Sequence, residues 1–172
     1  MNIRTLLSGL LLAGILGGPW GFAQDDEVSR LKERIIEIQN YESVGFRKFI
    51  PSSQVKSYGS YVPLADNKIR QGDVIFFYFE PKNVFTKTAG GTYENHYTLD
   101  MTIQTEKQQV LYKKETILEV HDQSSSPRLD LHGYFKFTLE VIAPGKYLVK
   151  ATIHDKLKGQ SGEITWPFEV VK

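Results

Sequence analysis

The chain has 172 residues, with 21 basic and 20 acidic side chains and no cysteine. Near-balanced charge gives no electrostatic reason to expect nucleic acid or an anionic membrane surface as partner. The missing thiols exclude disulfides, thiolate metal ligands, a cysteine nucleophile and a lipid-modified cysteine at an export cleavage site.

Residues 1–23 have the three parts of a secretory signal. Arg4 and the amino terminus form a short positive region, 6–16 is a Leu-rich apolar run, and Gly17, Gly18 and Pro19 break it. Gly21-Phe22-Ala23 places small residues at both positions a signal peptidase reads. The run is nearer a dozen residues than the ~20 needed to span a bilayer. A cleavable signal is therefore expected, and a mature chain without a transmembrane anchor, periplasmic or secreted. What remains is close to the commonest single-domain length.

Residues 24–54 read as a helix followed by a connector. Within 25–39, Val28, Leu31, Ile35 and Ile38 recur at spacings of three and four, one apolar stripe on a helix. Asp25, Asp26 and Glu27 suit a helix start, and Glu27, Glu33, Arg34 and Glu37 charge the opposite face. Two heptads are too few for an isolated coiled coil. The stripe is a face for packing across the helix's own domain, or for docking on a partner.

Residues 55–172 read as a β-sandwich. A first, edge-like strand is expected over 55–62, stopped by Pro63. Val74-Ile75-Phe76-Phe77-Tyr78-Phe79 is apolar on both parities, which marks a strand covered on both faces. Tyr97, Leu99, Met101 and Ile103 alternate with polar residues, as do Phe135, Phe137, Leu139 and Val141. The same alternation runs through Tyr147, Val149, Ala151 and Ile153, and through Ile164, Trp166, Phe168 and Val170. A weaker strand or pair is expected over 109–120. Short alternating strands joined by turns such as Ala143-Pro144-Gly145 predict an antiparallel sandwich. Pro167, on the polar parity of the last strand, predicts an open edge there.

The segment from Pro144-Gly145-Lys146-Tyr147 to His154-Asp155, closing on Trp166-Pro167-Phe168-Glu169-Val170, resembles the final hairpin of immunoglobulin-like domains in exported bacterial proteins. Gly72-Asp73 with Tyr78-Phe79-Glu80-Pro81 resembles an earlier strand of the same domains. The resemblance implies a mainly β, immunoglobulin-like antiparallel β-sandwich preceded by one amphipathic N-terminal helix. It also implies that Tyr147 forms a tyrosine corner, its hydroxyl returning to the backbone. It implies nothing about function, since this sandwich hosts many activities.

Chemistry is sparse. Four histidines are present, His96, His121, His132 and His154, with no His-x-His or His-x-x-x-His spacing. His121-Asp122 and His154-Asp155 are adjacent pairs, and neighbours on a strand point to opposite faces. No Gly-x-Ser-x-Gly elbow occurs. A Ser-His-Asp arrangement is defined by geometry, not by chain order. The expectation is thus a non-enzymatic binding or assembly module without cofactor or metal, and without nucleic acid. Its partner is expected to be another extracytoplasmic protein, met through an open sheet edge or through Val28, Leu31, Ile35 and Ile38. Two alternatives stay open. Tyr58, Tyr61 and Tyr93, with Tyr97 and Tyr134, could form the stacking platform of a carbohydrate-binding module. A loop over 85–95 could enter the cleft of an exported hydrolase, as an accessory or inhibitor domain would.

Overall fold

A computed structural model describes residues 20–140 and 142–172, with side chains from residue 25 onward. The expected signal therefore lies mostly outside the described residues. Its last four positions fall inside helix α1 (Trp20–Tyr41), which begins five residues before the acidic run read as its start.

Ten strands follow: β1 (Gly45–Ser57), β2 (Ser60–Pro63), β3 (Lys68–Arg70), β4 (Val74–Lys82), β5 (Lys87–Ala89), β6 (Thr92–Thr105), β7 (Val110–Ser124), β8 (Gly133–Thr138), β9 (Gly145–Asp155) and β10 (Gln160–Val171). One sheet has the order β2-β1-β4-β8. The other runs β3-β10-β9-β6, with β5 and β7 also paired to β6. With β1, β4, β6, β7, β8, β9 and β10 taken as strands A, B, C, C′, E, F and G, the sheets are A-B-E and G-F-C-C′. That is immunoglobulin-like connectivity. The Tyr147 hydroxyl, near the start of β9, donates to the Ala143 carbonyl at 2.8 Å, the corner contact expected of it.

The core follows the alternation. Ile75, Phe77 and Phe79 of β4 and Phe135 of β8 face Leu99, Met101 and Ile103 of β6, Val149, Ala151 and Ile153 of β9, and Phe168 of β10. Phe77 meets Trp166 of the opposite sheet edge-on, with ring centroids 5.5 Å apart. Full burial of each such side chain contributes roughly 1.5–3 kcal/mol. β4 is central in its sheet and covered on both faces, since Tyr78 on its outer parity is as buried as Phe77. β10 passes so close to the start of β1 that a Cβ on Gly162 would run into the Val44 carbonyl oxygen. Only glycine fits there.

Four expectations need correction. The edge strand expected over 55–62 is the end of β1, a turn at Tyr58-Gly59 and β2. The connector read over 41–54 is mostly β1, a 13-residue strand paired to both β2 and β4. A register shift between Phe46 and Lys48 breaks its period, and so hides it. The sandwich is not wholly antiparallel, because β3 joins the end of β10 in parallel through Lys68, Ile69 and Arg70. The edge expected at Pro167 is closed at this end by β3 and by the Asn67 amide, which donates to the Pro167 carbonyl at 3.4 Å. The segment over 109–120, left open as a strand or a pair, is one long strand, β7. Its ladder jumps from Leu99–Leu118 to Met101–Lys114, leaving a bulge at Thr116, which has φ 48° and donates its N–H to Asp100 at 2.8 Å.

Candidate functional site

The helix is held by polar latches at its C-terminal half. The Asn40 side chain accepts from the Thr86 N–H at 2.8 Å and donates to the Thr86 carbonyl at 2.9 Å. The buried amide of Asn95 fixes the same segment, donating to the Phe85 carbonyl and the Thr86 hydroxyl. Lys158, in the β9–β10 turn, donates to the carbonyls of Asn40 and Glu42 at 2.6 and 2.8 Å. A cation there satisfies orphan carbonyls and suits the negative end of the helix dipole. Buried Asp155 shapes that turn, accepting from the N–H groups of Leu157 and Lys158, and it accepts from Phe85 as well. Higher up, the Tyr93 hydroxyl donates to Glu33 at 3.0 Å, and this bond holds the phenol above its ordinary pKa.

These latches decide which face of the helix is buried. Among the described side chains of α1, Ile36 is the buried apolar one, only 4% exposed. Val28, Leu31, Ile35 and Ile38 are 45%, 55%, 41% and 54% exposed, respectively. The stripe therefore does not pack on its own domain. It lies about a third of a turn or more around the helix from the face carrying Ile36 and Asn40. Ion pairs Glu27–Arg30 at 2.6 Å and Arg34–Glu37 at 2.7 Å flank it. The sequence named the stripe but not the docking face, whose anchors are hydrogen bonds to residues 46 to 118 positions away.

The tyrosines are dispersed. Tyr58 is half-exposed at the β1–β2 tip and meets His132 edge-on. Tyr61 stacks on buried Tyr78 with centroids 4.4 Å apart. Tyr93 is buried under the helix, and Tyr97 lies in the core. Burial, reinforced by the charge of Asp122, pushes the Tyr97 hydroxyl up to about 12. Only Tyr58 and Tyr134 of the five are well exposed, so the rings make no common platform. Residues 85–95 form an ordered hairpin rather than a loop, with 87–92 exposed at its tip. They contain β5 and the start of β6, paired from Lys87–Glu94 to Ala89–Thr92, with Thr86, Tyr93 and Asn95 buried.

The outer face of the second sheet gathers histidines that the sequence kept apart. His96 and His121 are cross-strand partners whose rings stack at 4.4 Å. Their Nε2 atoms lie 2.8 Å from Glu119 and Glu94, respectively. The bond from His121 holds Glu94 below the usual carboxylate pKa. One strand pair away, His154 Nδ1 is 2.8 Å from Ser161 Oγ and its Nε2 is 3.1 Å from Asp100. One tautomer satisfies both contacts, with Ser161 donating and Nε2–H directed at the carboxylate. These are the contacts of a Ser-His-Asp triad, and none of the three lines either of the two cavities described below. Ladders engage β9 on both sides of His154, while β10 at Ser161 is paired on its β9 side alone. Among the described residues no three His, Asp or Glu side chains converge as a metal site.

The larger cavity is a groove of about 670 Å³ on the flank between β7 and β8. The smaller, about 310 Å³, lies beside Tyr97, Asp122, Arg128 and His132.

No protein-family model and no curated protein matches this chain. Among solved structures, it is similar to the alkylpurine DNA glycosylase AlkC of Pseudomonas fluorescens bound to DNA containing an abasic-site analogue. There the identity is 13% and the TM-score 0.42, over 87% of this chain and 37% of that one. It is also similar to CopC of Methylosinus trichosporium OB3b, at 15% identity and TM-score 0.34, over 62% of this chain and 84% of that one. The chain thus spans little more than a third of the glycosylase. Likeness at these scores carries no argument about function. Among the described residues no helix is long and apolar enough to cross a membrane.

Proposed function

We propose that the protein is a non-catalytic extracytoplasmic binding module, periplasmic or secreted, whose helix stripe docks on an amphipathic helix of another protein. One observation carries this reading. The helix is fixed to the sandwich by Asn40, Glu33 and Lys158 while its four stripe residues face outward. Polar anchoring on one face and apolar exposure on another is the pattern of a presented helix, recognised through positions i, i+3 and i+7. The flanking ion pairs (Glu27–Arg30 and Arg34–Glu37) offer a helical partner both signs of charge at the rim. The export signal read over residues 1–23 supplies the compartment.

The experiment places a photo-crosslinking residue at Leu31 or Ile35 and, as control, at Thr165 on the outer sheet face, in cells of the source organism. A discrete protein adduct from the helix positions alone, lost on Ile38→Asp, is expected. Adducts of equal yield from all positions, or none, would overturn the reading. A fluorophosphonate probe tests the non-catalytic half, and covalent labelling of Ser161 would sink it.

A further inference from the structure

Each sheet ends in an open strand on the same flank of the sandwich. β8 pairs with β4 alone, and β7 pairs with β6 alone. In the constant-type immunoglobulin arrangement a D strand lies beside E and completes the first sheet. Here the chain passes from β7 to β8 through residues 125–132 without forming a strand. The position beside β8 is therefore unfilled among the described residues.

The 670 Å³ groove lies there. Its floor is Met101, Ile103, Ile117, Phe135, Phe137 and Leu139, drawn from both sheets. Its volume falls in the range of pre-formed ligand sites, roughly 300–1,000 Å³. Val110, Leu111 and Tyr112 of β7 continue the apolar surface in the open. Two lysines, Lys114 and Lys136, stand on the groove's wall, and neither forms an ion pair among the described residues. Its single acid is Glu140, beyond the end of β8.

We propose that this flank accepts an extended segment of another protein as an added strand along β8. Its apolar side chains at every second position enter the groove, and acidic residues flank them. The unpaired backbone of β8 supplies main-chain hydrogen bonds, and a strand's period of two directs alternate side chains to one face. The unpaired Lys114 and Lys136 select acidic flanks. A second copy is disfavoured by the same charges, because pairing β7 with itself sets Lys113 and Lys114 against their own kind. The short β8, the bulge at Thr116 and these lysines are devices that keep open edges from pairing indiscriminately. The inference does not rest on the helix stripe, which lies on a separate surface.

The test uses the full chain and two synthetic peptides of one composition: DEVTVTVSED, with alternating valines, and DEVVVTTSED, with the alternation broken. Fluorescence titration should show the alternating peptide binding at least tenfold more tightly, with hydrogen exchange slowed along β8. Phe137→Asp should weaken binding tenfold or more. Because that core-facing change could unfold the domain, the exposed double variant Lys114→Glu/Lys136→Glu provides a second arm. It should lose the acidic peptide and gain KKVTVTVSKK. Leu31→Asp should change nothing, which separates this site from the helix reading. Equal affinity for both patterns, no binding at millimolar peptide, or protection confined to α1 or β10 would overturn the proposal.

Discussion

The two outer faces of the sandwich carry similar chemistry in opposite surroundings. On the four-stranded sheet, Tyr78 donates to Glu80 at 2.8 Å, Lys48 donates to the same oxygen at 2.9 Å, and the Gly59 N–H donates to Tyr78 at 3.0 Å. Tyr78 and Glu80 are almost wholly buried, roofed by the β1–β2 tip and by Tyr61. On the other sheet, His96, His121 and His154 pair with Glu119, Glu94 and Asp100 across an open strand surface. Acid and base meet on both faces, and only one pair is shielded from water. An unpaired group costs far more where water cannot replace the lost partner. The first face should therefore bear on stability and the second hardly at all.

Tyr78→Ala tests the shielded face most severely. It removes a fully buried ring, the stacking partner of Tyr61, and the acceptor of the hairpin tip. Large aromatic truncations in cores cost about 3–5 kcal/mol, and denaturant unfolding should show a loss in that range. Tyr78→Phe, which keeps the ring, should cost only about 1–2 kcal/mol. Equal losses for the two variants would show that the ring contributes nothing beyond its hydroxyl.

Glu80 gives a smaller effect with a definite pH signature. Burial pushes its carboxyl upward, but the hydrogen bonds from Lys48 and Tyr78 prevail and hold it below the ordinary value. A carboxylate whose folded pKa lies below its unfolded one stabilises the fold above the unfolded pKa, near 4.3. That stabilisation is lost as pH falls through the folded value. Glu80→Gln should thus cost about 1–3 kcal/mol at pH 7, toward the lower end because Lys48 is half-exposed. The gap from wild type should narrow as unfolding is followed from pH 5 downward. A gap independent of pH would mean that the charge of Glu80 contributes nothing.

Those elements were unequally legible in the sequence. Strands β6, β9 and β10 show their period plainly, because one face of each meets the core, and β4 shows as an apolar run because both of its faces are covered. The tyrosine corner was legible because a local turn presents it, the contact spanning four residues. β1 was not, since its bulge and its Pro51-Ser52-Ser53 run interrupt the alternation. The helix stripe was visible as a pattern, but its exposure was not. Which face docks is decided by Asn40, Glu33 and Lys158 finding partners far along the chain. The groove shares that reason, for its walls come from strands brought together only by sheet order.

The histidine ladder was hidden for the same cause, since His96 and His121 meet only once the β6–β7 register is set. It also offers the finest test of the contrast between faces. Both carboxylates reach their imidazoles at 2.8 Å, which matches the Lys48–Glu80 distance within 0.1 Å. Distance alone would make the three contacts equivalent. Glu119 and His121 are about half-exposed, and exposed pairs contribute about 0–1 kcal/mol. His96→Ala should therefore shift stability by less than about 1 kcal/mol, and the shift should shrink further in molar salt, where screening acts within about 3 Å. Thermal unfolding at low and high ionic strength would show it. A loss as large as that of Glu80→Gln would mean that strand pairing, with its stacked rings, shields these groups as effectively as the hairpin shields Glu80.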